Sequence, residues 1–362
     1  MIELFQKRIN NLRKALTTPQ EAALLTNEVN IGYFCGFFHS EGYLVVTQED
    51  VCLLVDFRYI EAAQKKAQGC EVRMFHKLSE DLLSILTAQG IACLHIEASH
   101  MTVSQHAFFR SKLEKENITV TSDNKLTEHI ENIRIIKDAS EAAKIRTAQQ
   151  IAEKAYLEML NHVKAGVTER ELAARLEYYM KRNGAEDKSF DLITITGKKT
   201  SLPHGVPSDD VIREGDFFTC DFGAVYEGYH SDTTRTVAVG HADEEMRKIY
   251  SIVLEAQLAA LSAVKADVSA KEVDKTARDI ISAAGYGEYF GHSTGHGVGL
   301  DIHEAPAVSP RGTEVLRAGM VITDEPGIYL PDRFGVRIED MLLVTQQGCD
   351  NFVSLPKDLI IL

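Results

Sequence analysis

Apolar positions in the first third of the chain follow a strand-like rhythm interrupted by helical stretches. Ala22–Leu25, Tyr43–Thr47 and Val51–Val55 are short apolar runs bounded by polar residues, and the segments near Glu71–Phe75 and Ala92–Ile96 carry the same signal. All are predicted strands. The opening residues and Tyr59–Gln68 instead space their apolar side chains along one face of a helix. Strand and helix in alternation predict an α/β unit. From Lys125 to about Leu160 the pattern becomes that of one long, charged amphipathic helix, which marks the start of a second domain. The chain is accordingly divided into residues 1–122 and 123–362.

The second part repeats itself. Val211-Ile212-Arg213-Glu214-Gly215 is followed, six residues after its glycine, by Asp221. About a hundred residues later, Val315-Leu316-Arg317-Ala318-Gly319 is followed at the same distance by Glu325. Each copy then runs through a turn to a second acid: Tyr226-Glu227-Gly228 leads to Asp232, and Pro331–Gly335 leads to Glu339. Read as β-hairpins, these segments set Asp221 nearly opposite Asp232 and Glu325 nearly opposite Glu339, each pair on one face. The helices repeat as well, since Thr168-Glu169-Arg170-Glu171 and Ser269-Ala270-Lys271-Glu272 both have the capping-box pattern. Two related α+β halves about a pseudo-twofold axis follow, with four acids meeting at the axis.

The surroundings of these acids are apolar. Asp221 sits within Phe217–Gly223, Glu325 follows Met320–Thr323, and Glu339 lies within Val336–Val344. A solvent-facing acid at a strand end accounts for any one of them, but an unpaired buried carboxylate costs several kcal/mol. Carboxylates brought together repel unless cations sit between them, so a metal pair is the natural remedy. The Gly-rich run Gly291–Gly299 between the hairpins offers His296 as a neutral ligand. A dinucleotide loop is the wrong reading, because Gly295, Gly297 and Gly299 follow a helix and precede Asp301-Ile302-His303-Glu304. A plain tight turn explains the glycines but not both His292 and His296. His303, seven residues past His296, points to the opposite face of a straight strand, unless the glycines bend the chain so that both reach one pocket.

Composition narrows the class. With 362 residues, 44% hydrophobic and 25% charged, the chain is ordinary globular protein. A net charge of −14 argues against nucleic acid or an anionic membrane as partner. Cys35, Cys52, Cys70, Cys93, Cys220 and Cys349 are scattered and form no CxxC pair, which suits a reducing compartment. No apolar run approaches the ~20 residues of a membrane span, and a cytoplasmic protein is expected. His39, His76, His95, His100 and His106 show no ligand spacing.

Five motifs in order then resemble the ligand set of the pita-bread metallopeptidases. They are Cys220-Asp221-Phe222-Gly223, His230-Ser231-Asp232-Thr233-Thr234-Arg235-Thr236, Gly295-His296-Gly297-Val298-Gly299, Glu325-Pro326-Gly327-Ile328-Tyr329 and Val336-Arg337-Ile338-Glu339-Asp340. That superfamily includes methionine aminopeptidase, aminopeptidase P, prolidase and creatinase. Residues 30–37 and 54–59 resemble the creatinase-type N-terminal domain, which methionine aminopeptidases lack, so the proline-peptidase branch is indicated. The implied fold is an α/β creatinase-type N-terminal domain plus an α+β pita-bread catalytic domain with a pseudo-twofold repeat. Creatinase keeps the fold without the metal ligands; this chain keeps all five.

The resemblance implies roles residue by residue. Asp221 holds one metal, His296 and Glu325 the other, and Asp232 and Glu339 bridge both. Mn²⁺ or Co²⁺ suits so oxygen-rich a site, with Zn²⁺ or Fe²⁺ as alternatives. Glu325 doubles as a proton shuttle, His303 stabilises the developing oxyanion and His204 helps hold the prolyl residue. Arg337 orients a ligand carboxylate. Tyr329 and Tyr229 match pocket tyrosines, although core packing explains either nearly as well, and His292 is read as supporting or structural. Asp324 departs from the usual apolar residue before the ligand Glu325, and alternation turns it away from the metals.

The expected activity is dinuclear metal-dependent hydrolysis of the Xaa-Pro bond in proline-containing peptides, from the free N-terminus, by a homodimer. A strict dipeptidase needs a cation for the free prolyl carboxylate, and the segment after His303 has Ala307 where a basic residue would serve. Arg311, Lys198 and Lys199 are the substitutes in reach, so aminopeptidase P behaviour is expected, with prolidase second. A metal-free creatinase-like binding module and a non-peptidase metallohydrolase are the rival classes.

Overall fold

The computed structural model describes residues 2–38 and 41–362; His39 lies outside the described residues. Packing separates the chain into two units, Met1–Arg134 and Ile135–Leu362.

The first unit alternates as expected. Its strands are β1 (Glu21–Leu25), β2 (Tyr43–Val46), β3 (Val51–Val55), β4 (Glu71–Met74), β5 (Cys93–Ile96) and β6 (Thr119–Val120). Its helices are α1 (Ile2–Leu12), α2 (Glu28–Cys35), α3 (Ile60–Lys66), α4 (Leu78–Ala88), α5 (Val103–Leu113) and α6 (Lys125–Arg134). The sheet order is β4-β3-β2-β1-β5-β6, antiparallel through β1, β2 and β3 and parallel at both edges. Fully buried strands such as β3 read as unbroken apolar runs because both faces are covered.

The sequence divides the chain after residue 122, whereas packing divides it after Arg134. Helix α6 belongs to the first unit, where His129 Nε2 meets the Asn11 carbonyl at 2.7 Å. The single helix expected from Lys125 to about Leu160 is in fact two. Helix α7 (Ala139–Leu160) starts afresh because the Asp138 carboxylate accepts from Ser140 N and Glu141 N, and Glu141 returns the bond to Asp138 N.

The second unit continues with α8 (Glu169–Arg182), α9 (Glu244–Ala263) and α10 (Ala270–Ala283). Its strands are β7 (Asp187–Lys188), β8 (Ile193–Thr196), β9 (Phe217–Phe222), β10 (Ala224–Tyr226), β11 (Tyr229–His230), β12 (Thr233–Ala238) and β13 (Gly295–Gly297), followed by β14 (Glu304–Val308), β15 (Val321–Asp324), β16 (Gly327–Leu330), β17 (Phe334–Arg337), β18 (Asp340–Val344) and β19 (Cys349–Asn351). The repeat is written into the backbone. Thr168 bridges Val211 and Ser269 bridges Val315, both antiparallel. Gly215 and Gly319, equivalent in the two copies, both take a positive φ, 83° and 93°, which glycine adopts without strain. Thr168 and Ser269 each cap their helix by accepting from the backbone N of Glu171 and Glu272. The return arm of the first box is replaced by a Glu171–Arg175 pair.

In the first half, β9 pairs with β12, and the short hairpin of β10 and β11 lies between them. In the second, β15 pairs with β18 around the hairpin of β16 and β17. Apolar side chains from both halves, among them Phe217, Ile249, Val253, Ile281, Ile322 and Leu342, form one core. Among the described residues, no helix is long and apolar enough to cross a membrane.

Candidate metal centre

The pairing of β15 with β18 ends at Asp324 opposite Asp340, so Glu325 and Glu339 leave the two strands at facing positions, as expected. In the first half Asp221 lies opposite Thr234, and Asp232 stands two residues before that partner. The pair is therefore diagonal but on one face, since the side-chain period is two. His296 occupies the middle of β13, between β14 and β15. Ligand atoms of Asp232, His296 and Glu339 lie within 4.8 Å of one another. His296 Nε2 is 3.4 Å from Asp232 Oδ2 and 3.6 Å from Glu325 Oε1. His296 Nδ1 lies 3.0 Å from the Gly297 carbonyl, which only accepts, so Nδ1 carries a proton and Nε2 is the ring atom turned to the acids, the one that would bind a cation.

Burial, and then the neighbouring carboxylates, hold Asp232, Glu325 and Glu339 above their usual range. Asp232 is pushed up to about 6 and Glu325 to about 7, with His296 opposing in both. Glu339 is raised well above its ordinary value, by burial and then by Asp232, Glu325 and Asp221. His296 is pushed up to about 9; its burial works against this, and Asp232 and Glu325 overcome it. Oδ1 of Asp221 has no hydrogen-bond partner among the described residues. One imidazole and four carboxylates, three of them buried and Glu325 partly so, with one oxygen of Asp221 orphaned, make a donor set that fits hard divalent cations.

A web of side chains fixes these groups. Arg337 donates from Nη2 to Asp221 Oδ2 at 2.6 Å, from Nε to Thr234 Oγ1 at 3.0 Å and from Nη1 to Tyr329 Oη at 2.9 Å. Thr234 Oγ1 in turn donates to Glu339 Oε2 at 2.7 Å. Thr323 Oγ1 donates to Glu325 Oε1 at 3.3 Å and accepts from His296 N at 3.0 Å. Sequence reasoning missed both threonines, because in a strand Thr reads as a β-former. For Thr323 the only signal was a hydroxyl closing an apolar run, and Thr234 stands among other polar residues.

The centre opens on a cavity of about 700 Å³. His204, His292, His296 and His303 all line it, as do the four acids and Arg337. The odd spacing of His296 and His303 is resolved by a register shift between His296 and Gly297, and the two rings pack edge to face with centroids 4.4 Å apart. His303 is held below its ordinary value by burial, then by His296 and His204. His292 Nε2 lies 2.8 Å from Tyr329 Oη, and burial lowers its imidazole to about 4. Tyr329 does not line the cavity; it links His292 to Arg337. Tyr229 is buried elsewhere, with its hydroxyl donating to Glu141 Oε1 at 2.9 Å. Phe190, Leu192, Ile193 and Ile302 give the cavity an apolar flank.

None of Arg311, Lys198 and Lys199 lines this cavity. Lys199 is bound to Glu169 and Asp210. Among the described residues the arginines and lysine on its walls are Arg337, held by Asp221, and Arg170 and Lys188, paired with Asp209 at 3.3 Å and Asp191 at 2.7 Å.

Residues 143–346 match the family described as Metallopeptidase family M24, and residues 8–136 match the Creatinase/Prolidase N-terminal domain. The chain is 42% identical over 341 residues to the Xaa-Pro dipeptidase of Pyrococcus horikoshii, covering 94% of each. The solved Xaa-Pro dipeptidase from Bacillus anthracis superposes with a TM-score of 0.94 at 40% identity, covering 99% of this chain and 100% of that one. The X-Pro aminopeptidase from Thermotoga maritima gives 0.90 at 36%, covering 98% and 100%.

Proposed function

The chain belongs to metallopeptidase family M24, and we propose that it is a dinuclear enzyme hydrolysing the Xaa-Pro bond from the free N-terminus of peptides, with aminopeptidase P behaviour. The observation that carries this is the convergence of Asp221, Asp232, His296, Glu325 and Glu339 on one cavity that also presents His204 and His303. Asp221, Asp232, His296, Glu325 and Glu339 would hold the ions, Mn²⁺ or Co²⁺ fitting the oxygen-rich set and Zn²⁺ or Fe²⁺ being the alternatives. Two bound cations lower the pKa of water and polarise the scissile carbonyl.

The chain's own residues do the rest. His303 donates a hydrogen bond to the carbonyl oxygen as it gains charge. Glu325, beside Thr323 Oγ1 and His296 Nε2, carries a proton to the prolyl nitrogen as it leaves. His204 and the apolar flank hold the prolyl ring and keep water from it. Arg337 keeps the Asp221 carboxylate oriented.

The cavity has room beyond a dipeptide, and among the described residues the arginines and lysine lining it are each paired with an acid, which leaves no unpaired guanidinium there for a prolyl carboxylate. The names of the Pyrococcus and Bacillus relatives favour a second reading, a dipeptidase. The test compares kcat/KM for Xaa-Pro, Xaa-Pro-Ala and Xaa-Ala with one Xaa after metal reconstitution. Cleavage of Xaa-Pro-Ala at least as good as Xaa-Pro, with Xaa-Ala refused, supports the reading; a preference for the dipeptide above ~10² would make the enzyme a prolidase. We further propose a cytoplasmic homodimer, which light scattering at micromolar concentration checks.

A further inference from the structure

The Lys137 side chain is only 1% exposed, and its ammonium lies 2.8 Å from Oε2 of Glu304, itself 10% exposed. Burying such a pair is expensive, and replacing it by apolar groups is often neutral or stabilising, so stability alone is a weak reason for its presence. Its position offers a better one. Glu304 follows His303 directly, and its other oxygen accepts from Asp301 N at 3.1 Å, closing the turn in which His303 sits. The carboxylate also lies flat against Gly299, where an added Cβ would meet Oε2 at 2.5 Å. The far end of Lys137 is equally fixed. Its backbone N donates to the Gly319 carbonyl at 2.8 Å, in the turn that leads into β15 and on to Glu325. A Cβ at Gly319 would stand 3.2 Å from the Lys137 carbonyl. Lys137 thus spans from the turn before Glu325 to the turn that carries His303.

The same short segment is also tied to the hairpin of the first half. Glu141, four residues on and 3% exposed, accepts from the Tyr229 hydroxyl, and the next residue, His230, donates from its backbone to the Gly299 carbonyl at 2.8 Å.

We propose that Lys137 is a positioning residue for the peptidase reaction, acting through Glu304 to set the His303 imidazole against the metal ligands. This rests on the role given to His303 in the proposed function. Oxyanion stabilisation falls steeply with displacement of the donor, so loosening this tether should affect turnover more than substrate affinity.

A double-mutant cycle on the metal-reconstituted full chain tests it, using Lys137→Met, Lys137→Arg, His303→Ala and the pair Lys137→Met with His303→Ala. With wild-type protein active on an Xaa-Pro-Ala peptide, Lys137→Met should lower kcat about tenfold or more, with KM and metal content little changed, and Lys137→Arg should restore most of it. In the His303→Ala background the same change should lower kcat by less than about twofold. An equal loss with and without His303, or a loss of thermal stability with kcat intact, overturns the proposal while leaving the peptidase reading in place. Inactive wild-type protein overturns the peptidase reading, and this proposal falls with it. Because Lys137→Met removes the cation from a largely enclosed carboxylate, the cycle is repeated with Lys137→Met and Glu304→Gln together. That neutral pair should show the same dependence on His303, and full kcat in it also overturns the proposal.

Discussion

Arg337 Nη2 stands 2.6 Å from Asp221 Oδ2, so a guanidinium from the second half of the repeat orients a carboxylate from the first. Both are buried, and Thr234 and Tyr329 fill further donor sites of the same guanidinium. The arrangement makes the two halves interdependent: neither hairpin holds its acids in place alone.

Replacing Arg337 by Met should therefore weaken metal binding by about 10–100-fold, the usual effect of removing a group that orients a ligand. It should also destabilise the metal-free fold by about 3–5 kcal/mol, because Asp221 is left buried without its cation. Calorimetric metal titration and urea unfolding give the two numbers. Lys at this position restores the charge but not the planar fork, and should recover only part of either.

His303→Ala should lower kcat by ~10² or more on an Xaa-Pro-Ala peptide, leaving bound metal unchanged. Steady-state kinetics with metal analysis decide it. An effect confined to KM would move His303 from the reacting oxygen to substrate binding.

His292 gives a pH signature. Burial chiefly, aided by Arg337, lowers its pKa from 6.5 to about 4. In the unfolded chain the imidazole takes up a proton as pH falls through 6.5, whereas in the folded protein it stays neutral until about 4. Unfolded protein then binds more protons, so this group's effect is to lower stability progressively as pH drops from 6.5 to 4, with no further change below. His292→Gln, which keeps a hydrogen-bonding group near Tyr329, should flatten the fall of Tm across that window relative to wild type. Parallel Tm curves would show that His292 titrates normally.

Much of this was legible in the sequence because short-range signals coincide with the chemistry. The apolar run Val51–Val55 is β3 residue for residue, and the repeated V-x-R segments form the paired bridges at Val211 and Val315. The facing positions of Glu325 and Glu339 follow from the turn between them. The break at residues 135–138 was not legible, since the helical period of apolar residues runs across it and only the Asp138 cap interrupts it. Nor was the tether of Lys137 to Glu304, 167 residues apart, because ion pairs leave no local trace. Asp324 turned away from the centre as expected, but the sequence did not reveal that it would be fully buried opposite Asp340, whose carboxylate is taken by Arg235 and Lys357.

Dinuclear Xaa-Pro hydrolysis is tested most directly by titrating metal-stripped protein with Mn²⁺ while following bound metal and cleavage of an Xaa-Pro-Ala peptide together. Activity should rise as about two ions bind per chain, and Asp232→Asn and Glu339→Gln should each lower both bound metal and rate. Full cleavage by metal-free protein, or unchanged metal content and rate in both variants, would contradict it.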